Sequence, residues 1–296
     1  RAGGAQTRLS PAVRRLLEEH DLNANDIDGS GREGRITHQD VLDHLARTTP
    51  SPLPTEEGAG GREKLAGRRI PHSAMRKRIA AHMIQSMNTA PHVTAVFEAD
   101  LTAVLAHRAR EREAFASDGI RLALTAYFVR AAVAALEKVP EANSRFHDDV
   151  LEIFDDFNIG VGIALDDEGL IVPVLRRVQD LDLAETARRL QALTEKAHAN
   201  RLAPEEIRGG TFTISNHGVS GSLVATPIVI NQPQTAILGI GKLEKRAVVV
   251  EKDGRDVIEP RPRCYVTLTI DHRALDGFQA NAFLTEFVAT LEKWPV

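Results

Sequence analysis

Hydrophobic and polar positions along the chain follow three different rules. In residues 8–45, Ser10-Pro11 opens a helix: serine can accept from the free N–H groups and proline fits the first turn. Val13, Leu16 and Leu17 then share one helical face. After the polar turn Gly29-Ser30-Gly31-Arg32-Glu33-Gly34-Arg35, Thr37 caps a second predicted helix carrying Val41, Leu42 and Leu45. Over residues 46–67 the periodicity stops. Thr48-Thr49-Pro50-Ser51-Pro52-Leu53-Pro54 stiffens the backbone and Gly58-Ala59-Gly60-Gly61 loosens it, the composition of a flexible linker. Residues 1–7, small and polar, read as the remnant of another linker.

From residue 68 to 296 both periodicities alternate. Residues 74–88 and 121–138 are predicted helices, the second with Leu122, Phe128, Ala132 and Leu136 as a buried stripe. Phe157 to Arg176 reads as two strands joined by the turn Asp166-Asp167-Glu168-Gly169. A helix over 182–199 turns Leu183, Ala187, Leu190 and Ala197 inward, and strand-like runs follow at 211–215, 235–241 and 264–270. A last helix, 278–294, lines up Phe283, Phe287, Leu291 and Trp294. Strands interleaved with helices predict an α/β sandwich.

Composition narrows the function. At 296 residues and 43% hydrophobic the chain suits two folded units. It has no apolar run near the roughly 18 residues that a membrane span needs. Residues 1–7 lack the apolar centre of a secretory signal, and the single Cys264 cannot form an internal disulfide, so a reducing interior is expected. A net charge of −4 gives no general reason to expect nucleic acid. The helical segment itself sets Arg14, Arg15, Arg32 and Arg35 against a larger number of carboxylates, which disfavours phosphate. Under 40 residues of core is marginal alone, so that segment is expected to exist for binding.

The strongest chemical signal is Asp271-His272-Arg273-Ala274-Leu275-Asp276-Gly277, between the strand at 264–270 and the last helix. A tight turn at a sheet end lets a side chain reach a cleft, and an imidazole, with an ordinary pKa near 6.5, suits proton transfer at neutral pH. Asp276 and Gly277 read as parts that fix the turn. For an isolated histidine, a charged surface turn is the commoner explanation. Thr211-Phe212-Thr213-Ile214-Ser215-Asn216-His217-Gly218 ends another strand with a hydroxyl and an amide. A hydroxyl in a dry site can donate to a developing oxyanion; alone, Ser215 would read as a strand-end cap. Gly218, Gly221, Pro227 and Asn231-Gln232-Pro233 make the backbone that follows a demanding one.

Other signals carry less. Gly29 to Gly34 spells a dinucleotide glycine pattern but follows no strand, and in Gly239-Ile240-Gly241-Lys242 the next residue is Leu243 where a phosphate loop needs Ser or Thr. His92, His217 and His272 have no metal-ligand spacing, so no metal is expected.

Taken together, several ordered motifs resemble the dihydrolipoamide acyltransferase component of the 2-oxo acid dehydrogenase complexes. They are Met75-Arg76-Lys77-Arg78-Ile79-Ala80, Ala90-Pro91-His92-Val93-Thr94, Gly169-Leu170-Ile171-Val172-Pro173-Val174, Gly209 to Asn216, and Asp271 to Gly277. Residues 68–296 resemble its catalytic domain and residues 8–45 its peripheral subunit-binding domain. The resemblance implies an α/β fold: a chloramphenicol acetyltransferase-like sandwich catalytic domain preceded by a small all-helical subunit-binding domain.

The resemblance also implies roles. His272 is expected as general base, Ser215 as the donor that stabilises the tetrahedral intermediate, and Asp276 as a holder of the turn, pairing with an arginine. Arg273, Gly277 and Asn216 support the turn or contact substrate. The site is expected between subunits of a homotrimer, itself a unit of a larger core. The acyl group passes between a lipoyl group, supplied by a domain not present in this chain, and coenzyme A, a substrate. Arg14 and Arg35 match basic positions used against the 2-oxo acid decarboxylase and dihydrolipoamide dehydrogenase components, whereas Glu18 stands where the family has a further basic residue, which bears on partner choice. The end at Trp294-Pro295-Val296 falls short of the family's hydrophobic terminus. The expected location is cytoplasmic, or the mitochondrial matrix in a eukaryote, with no nucleic acid and no membrane. Gly218 to Pro227 leans towards the 2-oxoglutarate type and Pro91 to Thr94 towards the pyruvate or branched-chain types, so the acyl group stays open: succinyl, acetyl or branched-chain.

Overall fold

A computed structural model describes residues 9–19, 22–31, 34–48, 67–165 and 169–295. These fall into two compact units that divide between Ile70 and Pro71. The expected linker at 1–7, nearly all of the one at 46–67, and the turn residues 166–168 lie outside the described residues.

In the first unit, α1 (Pro11–Glu19) and α2 (His38–Thr48) enclose Val13, Leu17, Ile27, Ile36 and Val41. The Ser10 hydroxyl accepts from the Val13 N–H at 3.3 Å, and the Thr37 hydroxyl from the Asp40 N–H at 3.3 Å. Asp40 ties the glycine-rich loop to α2. Its carboxylate accepts from the Ser30 hydroxyl at 2.6 Å, the Thr37 N–H at 2.8 Å and the Ser30 N–H at 2.9 Å. Those hydrogen bonds, the Ser30 hydroxyl first, hold its carboxyl far below the usual carboxylate range. A Cβ on Gly29 would meet the Gly34 carbonyl at 2.4 Å, so glycine there lets the loop close on itself.

The second unit is built on one sheet. In the order β1 (His92–Asp100), β11 (Arg255–Asp271), β9 (Ala236–Ile240), β8 (Phe212–Asn216), β4 (Ile159–Val161) and β7 (Val174–Leu175), neighbours are hydrogen-bonded. β8 runs parallel to both β4 and β9. The long β11 changes partner midway: residues 255–263 pair with β10 (Glu244–Lys252), and residues 263–271 with β1. Pro260 and Pro262 fall in the half of β11 that has only one strand beside it, where a missing N–H costs little.

One face of the sheet is the core. Phe212, Ile214, Leu238, Val266, Leu268 and Ile270 are buried on it. Against it lie α5 (Leu124–Lys138) with Phe128, Ala132 and Leu136, and α7 (Gly277–Glu292) with Phe283, Phe287 and Leu291. Each such side chain contributes about 1.5–3 kcal/mol by burial. The other face is polar: Thr94, Thr213, Ser215, Thr267 and Thr269 take the alternate positions, with Gly239 among them. No helix covers it. The strap at residues 222–235 crosses it instead. Thr213 donates to Gln234 Oε1 at 2.6 Å, and Ile228 N–H donates to the Thr269 hydroxyl at 3.2 Å. Threonine fits here because its branched Cβ suits a strand while its hydroxyl satisfies backbone of irregular shape. A Cβ on Gly239 would meet Thr267 Oγ1 at 2.3 Å and Ile228 Cδ1 at 2.5 Å. That close approach accounts for the glycine.

Several expectations change. Residues 157–176 form four short strands, not two: β4 and β7 join the main sheet, while β5 (Ile163–Leu165) and β6 (Gly169–Ile171) pair only with each other. The break falls at Gly162, whose N–H goes to the Ile214 carbonyl, and at Pro173, which has no N–H to give. The helix expected from 121 begins at Leu124, because Arg121 N–H donates instead to Gln191 Oε1 on α6 (Leu183–His198) at 2.8 Å. β1, β10 and α4 (Thr102–Ser117) went unread. α4 buries Val104 alone in full, so its sequence shows no stripe. α3 (Ala74–Thr89) buries only Ser86, and β2 (Ser144–Phe146) and β3 (Leu151–Ile153) complete the unit.

Candidate active site

The turn after β11 is built around a carboxylate that sequence reasoning passed over. Asp271 is 1% exposed. Its backbone N–H goes to the Thr235 carbonyl at 2.8 Å, and its own carbonyl accepts from Ala274 and Leu275. Its carboxylate takes the Arg273 N–H at 3.0 Å, Nε at 3.0 Å and Nη2 at 2.6 Å. Arg273 in turn lies 4.4 Å over the Phe146 ring, and its bond to Asp271 pushes its pKa up. His272 N–H donates to the Pro91 carbonyl at 2.9 Å. The histidine is therefore fixed on both sides by backbone, and its side chain, 43% exposed, stands free of the turn. The available signal was the alternation along β11: Asp271 occupies a position where a charge must find a partner.

Asp276 lies elsewhere than an arginine partner would put it. It is 75% exposed, its Oδ1 is 3.9 Å from His272 Nδ1, and the arginine pairing of this turn belongs to Asp271. Its backbone N–H donates to Gln279 Oε1 at 3.0 Å, so it also starts α7. Gly277, the first residue of α7, has open space around a would-be Cβ. His92 acts as a staple: its Nδ1–H donates to the Ala90 carbonyl at 2.7 Å, and its Nε2 accepts from Ile230 N–H at 3.0 Å. The strap is thereby pinned to the entry of β1.

Ser215 is half-buried near the end of β8, on the polar face. Asn216 points the other way, its Nδ2 3.5 Å from the Thr125 hydroxyl. It helps line a cavity of about 350 Å³ with Thr125, Gln191, Thr194 and His198. A second cavity of about 340 Å³ shares Arg121 and Gln191 with it and adds Arg108 and Arg112. His217 follows, half-buried, both ring nitrogens shielded and without hydrogen-bond partners. Burial lowers its pKa, and the nearby Ser222 backbone offsets that only in part. Among the described residues, no group of three His, Cys, Asp or Glu could hold a metal, and no helix is long and apolar enough to cross a membrane.

The register decides what one copy can do. Ser215 pairs with Gly239, and Gly239 with Thr267. His272 lies beyond Thr267 along β11 by roughly 17 Å, and two strand spacings add sideways distance, giving roughly 20 Å in all. The structure does not bring the two together within a chain. An imidazole free to move a proton and a hydroxyl able to donate to an oxyanion are nonetheless the two groups that acyl transfer needs.

The fold is that of an acyltransferase core. It superposes with a TM-score of 0.73 on a crystal structure of the Azotobacter vinelandii dihydrolipoamide acetyltransferase, studied for the roles of one serine, one histidine and one asparagine in its mechanism. Identity is 27%, covering 83% of this chain and 98% of that one. Residues 64–295 match the catalytic domain of the 2-oxoacid dehydrogenases acyltransferases, and residues 7–42 match the E3-binding domain. The dihydrolipoyllysine-residue succinyltransferase component of the 2-oxoglutarate dehydrogenase complex of Rickettsia bellii is 38% identical, over 97% of this chain and 70% of that protein. Its counterpart in Escherichia coli K12 is 36% identical, over 96% and 70%. The chain belongs to the 2-oxoacid dehydrogenase acyltransferase family, as an acyltransferase core component carrying an E3-binding domain.

Proposed function

We propose that this protein transfers a succinyl group between a dihydrolipoyl arm and coenzyme A, at a site shared by two copies in a homotrimer. The roughly 20 Å between Ser215 and His272 within one chain carries this reading: joint action requires His272 of one copy beside Ser215 of the next. The similarity of the chain to succinyltransferases supports the acyl group.

The chemistry follows from thiol acidity. A thiol has an ordinary pKa near 8.5, so little thiolate exists at neutral pH. Asp276 beside Nδ1 leaves Nε2 of His272 to take the coenzyme A thiol proton as the sulfur attacks the thioester carbonyl. The oxygen that gains the negative charge accepts from the Ser215 hydroxyl. When the C–S bond to the lipoyl sulfur breaks, that sulfur takes the proton from the imidazolium. Arg108, Arg112 and Arg121 line one cavity, and Arg121 also borders the other, which Asn216 lines, a setting for the phosphates of coenzyme A. Exposed Arg14 and Arg35 would meet acidic surfaces of the decarboxylase component and dihydrolipoamide dehydrogenase. Trimers would assemble into a larger core in the cytoplasm.

Subunit complementation tests the shared site. His272→Ala alone should lower turnover by about 10²–10⁴-fold and Ser215→Ala by about 10²–10³-fold. Refolded together, the two inactive chains should recover roughly a quarter of wild-type activity, because random mixing places an intact histidine beside an intact serine at that frequency. No recovery from a mixture shown to contain mixed trimers defeats the reading.

A further inference from the structure

The polar face of the sheet holds one side chain that the reaction above does not use. His217 lies two positions beyond Ser215, at the end of the same strand. Its ring packs beside Gly239, the register partner of Ser215, with Nε2 3.4 Å from where a Cβ would stand on that glycine. Neither ring nitrogen has a hydrogen-bond partner of normal geometry, and neither is reached by solvent. Buried polar atoms are almost always satisfied, so two orphans on one ring call for a cause.

The surroundings show what is missing. Ile228 Cδ1 and Thr267 Oγ1 close on the same point over Gly239 that the ring nitrogen approaches, and the threonine hydroxyls of this face are already engaged: Thr94 with Thr269, Thr213 with Gln234, Thr267 with the Ala225 carbonyl. Other buried side-chain atoms without partners, among the described residues, belong to Asn143, Arg261 and Arg263, on other segments. Apart from an approach by the Ser222 backbone that falls short of hydrogen-bond geometry, the imidazole is thus an unsatisfied polar group beside the candidate oxyanion donor.

We infer that His217 selects the acyl group, its ring nitrogen taking the carboxylate at the far end of a short dicarboxylic acyl chain whose thioester carbonyl lies at Ser215. This rests on the acyltransferase reading of Ser215 and His272. Burial disfavours the charged ring, lowering its pKa. An arriving carboxylate restores the proton, so the ion pair exists only with the right substrate and no buried charge is left without it. A thioester with an apolar end gains nothing from the ring.

Access comes from the segment over the ring. Val219, Leu223 and Val224 face solvent, and a backbone hydrogen bond from Lys242 N–H to the Ser222 carbonyl, 2.8 Å, ties the segment down. Gly218 and Gly221 flank its turn, Gly221 with φ +92°.

Two variants of the full chain test the assignment, each measured for transfer from succinyl-coenzyme A and from acetyl-coenzyme A to dihydrolipoamide. His217→Leu should cut kcat/KM for succinyl-coenzyme A by about 10–100-fold, the range for a lost hydrogen bond to a charged group, and leave acetyl-coenzyme A within about threefold. His217→Asn, which keeps a donor, should retain part of the succinyl rate. Equal losses on both thioesters would mean a structural histidine and overturn the assignment, as would a wild-type preference for acetyl-coenzyme A or unchanged succinyl transfer in His217→Leu. A wild-type protein that transfers neither group, with no effect of His272→Ala, would instead bring down the acyltransferase reading beneath it.

Discussion

Replacing Asp271 by alanine separates the holding of the catalytic turn from the chemistry on it. The carboxylate is buried and accepts from three N–H groups of Arg273, two of them on the guanidinium. Breaking a fully buried ion pair costs about 3–5 kcal/mol. The cost here is smaller, because the Arg273 side chain is 32% exposed and can take up water once released. About 2–3 kcal/mol is expected, a fall in the unfolding midpoint of about 5–10 °C for a unit of this size. Activity should suffer more than stability. His272 would keep its N–H bond to Pro91 but lose the rigid residue on its other side, and a displacement of about 1 Å costs roughly 10²-fold in rate. The fall should appear in kcat, with KM for coenzyme A nearly constant, since the clamp lies at the imidazole and not at the arginine-lined cavity. Arg273→Ala should be the more destabilising of the two at neutral pH, because it strands a carboxylate that solvent cannot reach. Steady-state transfer and thermal unfolding of both variants check the argument. Near-normal kcat in folded Asp271→Ala would refute it.

Three further outcomes are expected. Asp40 is an acid whose folded pKa is depressed by the hydrogen bonds of Ser30 and Thr37. The stability it lends is therefore present above the unfolded carboxyl pKa, near 3.9, and lost as pH falls from there towards the folded pKa. Amide exchange in residues 9–48 of the intact chain should accelerate between about pH 5 and 3, and Asp40→Asn should already exchange fast at neutral pH. Arg112→Glu with Arg121→Glu should raise KM for coenzyme A by about a hundredfold and leave that for dihydrolipoamide unchanged, since each guanidinium–phosphate pair lost costs about 1.4 kcal/mol; equal effects on both substrates would move coenzyme A elsewhere. Arg14→Glu with Arg35→Glu should abolish co-purification with the decarboxylase and dihydrolipoamide dehydrogenase components while leaving transfer activity intact, and unchanged association would remove both residues from that role.

What the sequence showed depended on whether an element buries one face. α5, α6 and α7 each press a stripe on the sheet, and their spacing placed them within a few residues. α4 buries little but Val104, and its alanines, arginines and glutamates follow no period. β10 and the first half of β11 form a hairpin with one half-exposed face, and two prolines hid it further. The same limit applied at the site. His272 and Ser215 announced themselves by turn and strand-end context. Asp271 did not, because its importance comes from Thr235, Pro91 and Phe146, segments far apart in the chain that the turn draws together. His217 showed in the sequence only as a histidine without metal-ligand spacing; its missing partners set it apart.

The two faces of the sheet divide the work of this protein. The face under α5 and α7 is apolar throughout and secures the fold. Its opposite is lined with threonines whose hydroxyls hold a strap of backbone, with Ser215 on the same face and His272 beyond the end of β11. A hydroxyl-lined face is costly to leave dry unless its donors and acceptors are met; here the threonine hydroxyls are met by the strap and by one another, and the ring nitrogens of His217 stand apart. Such a face can therefore meet a second copy without a large reorganisation, and the strand register then sets what the meeting achieves. If Ser215 and His272 act together as proposed, a lone chain, with the two at opposite ends, completes no site. Dilution below the dissociation constant of the assembly should consequently abolish transfer together with association, at a concentration set by neither substrate. Activity that persists in a protein shown to be monomeric would contradict the division of the site.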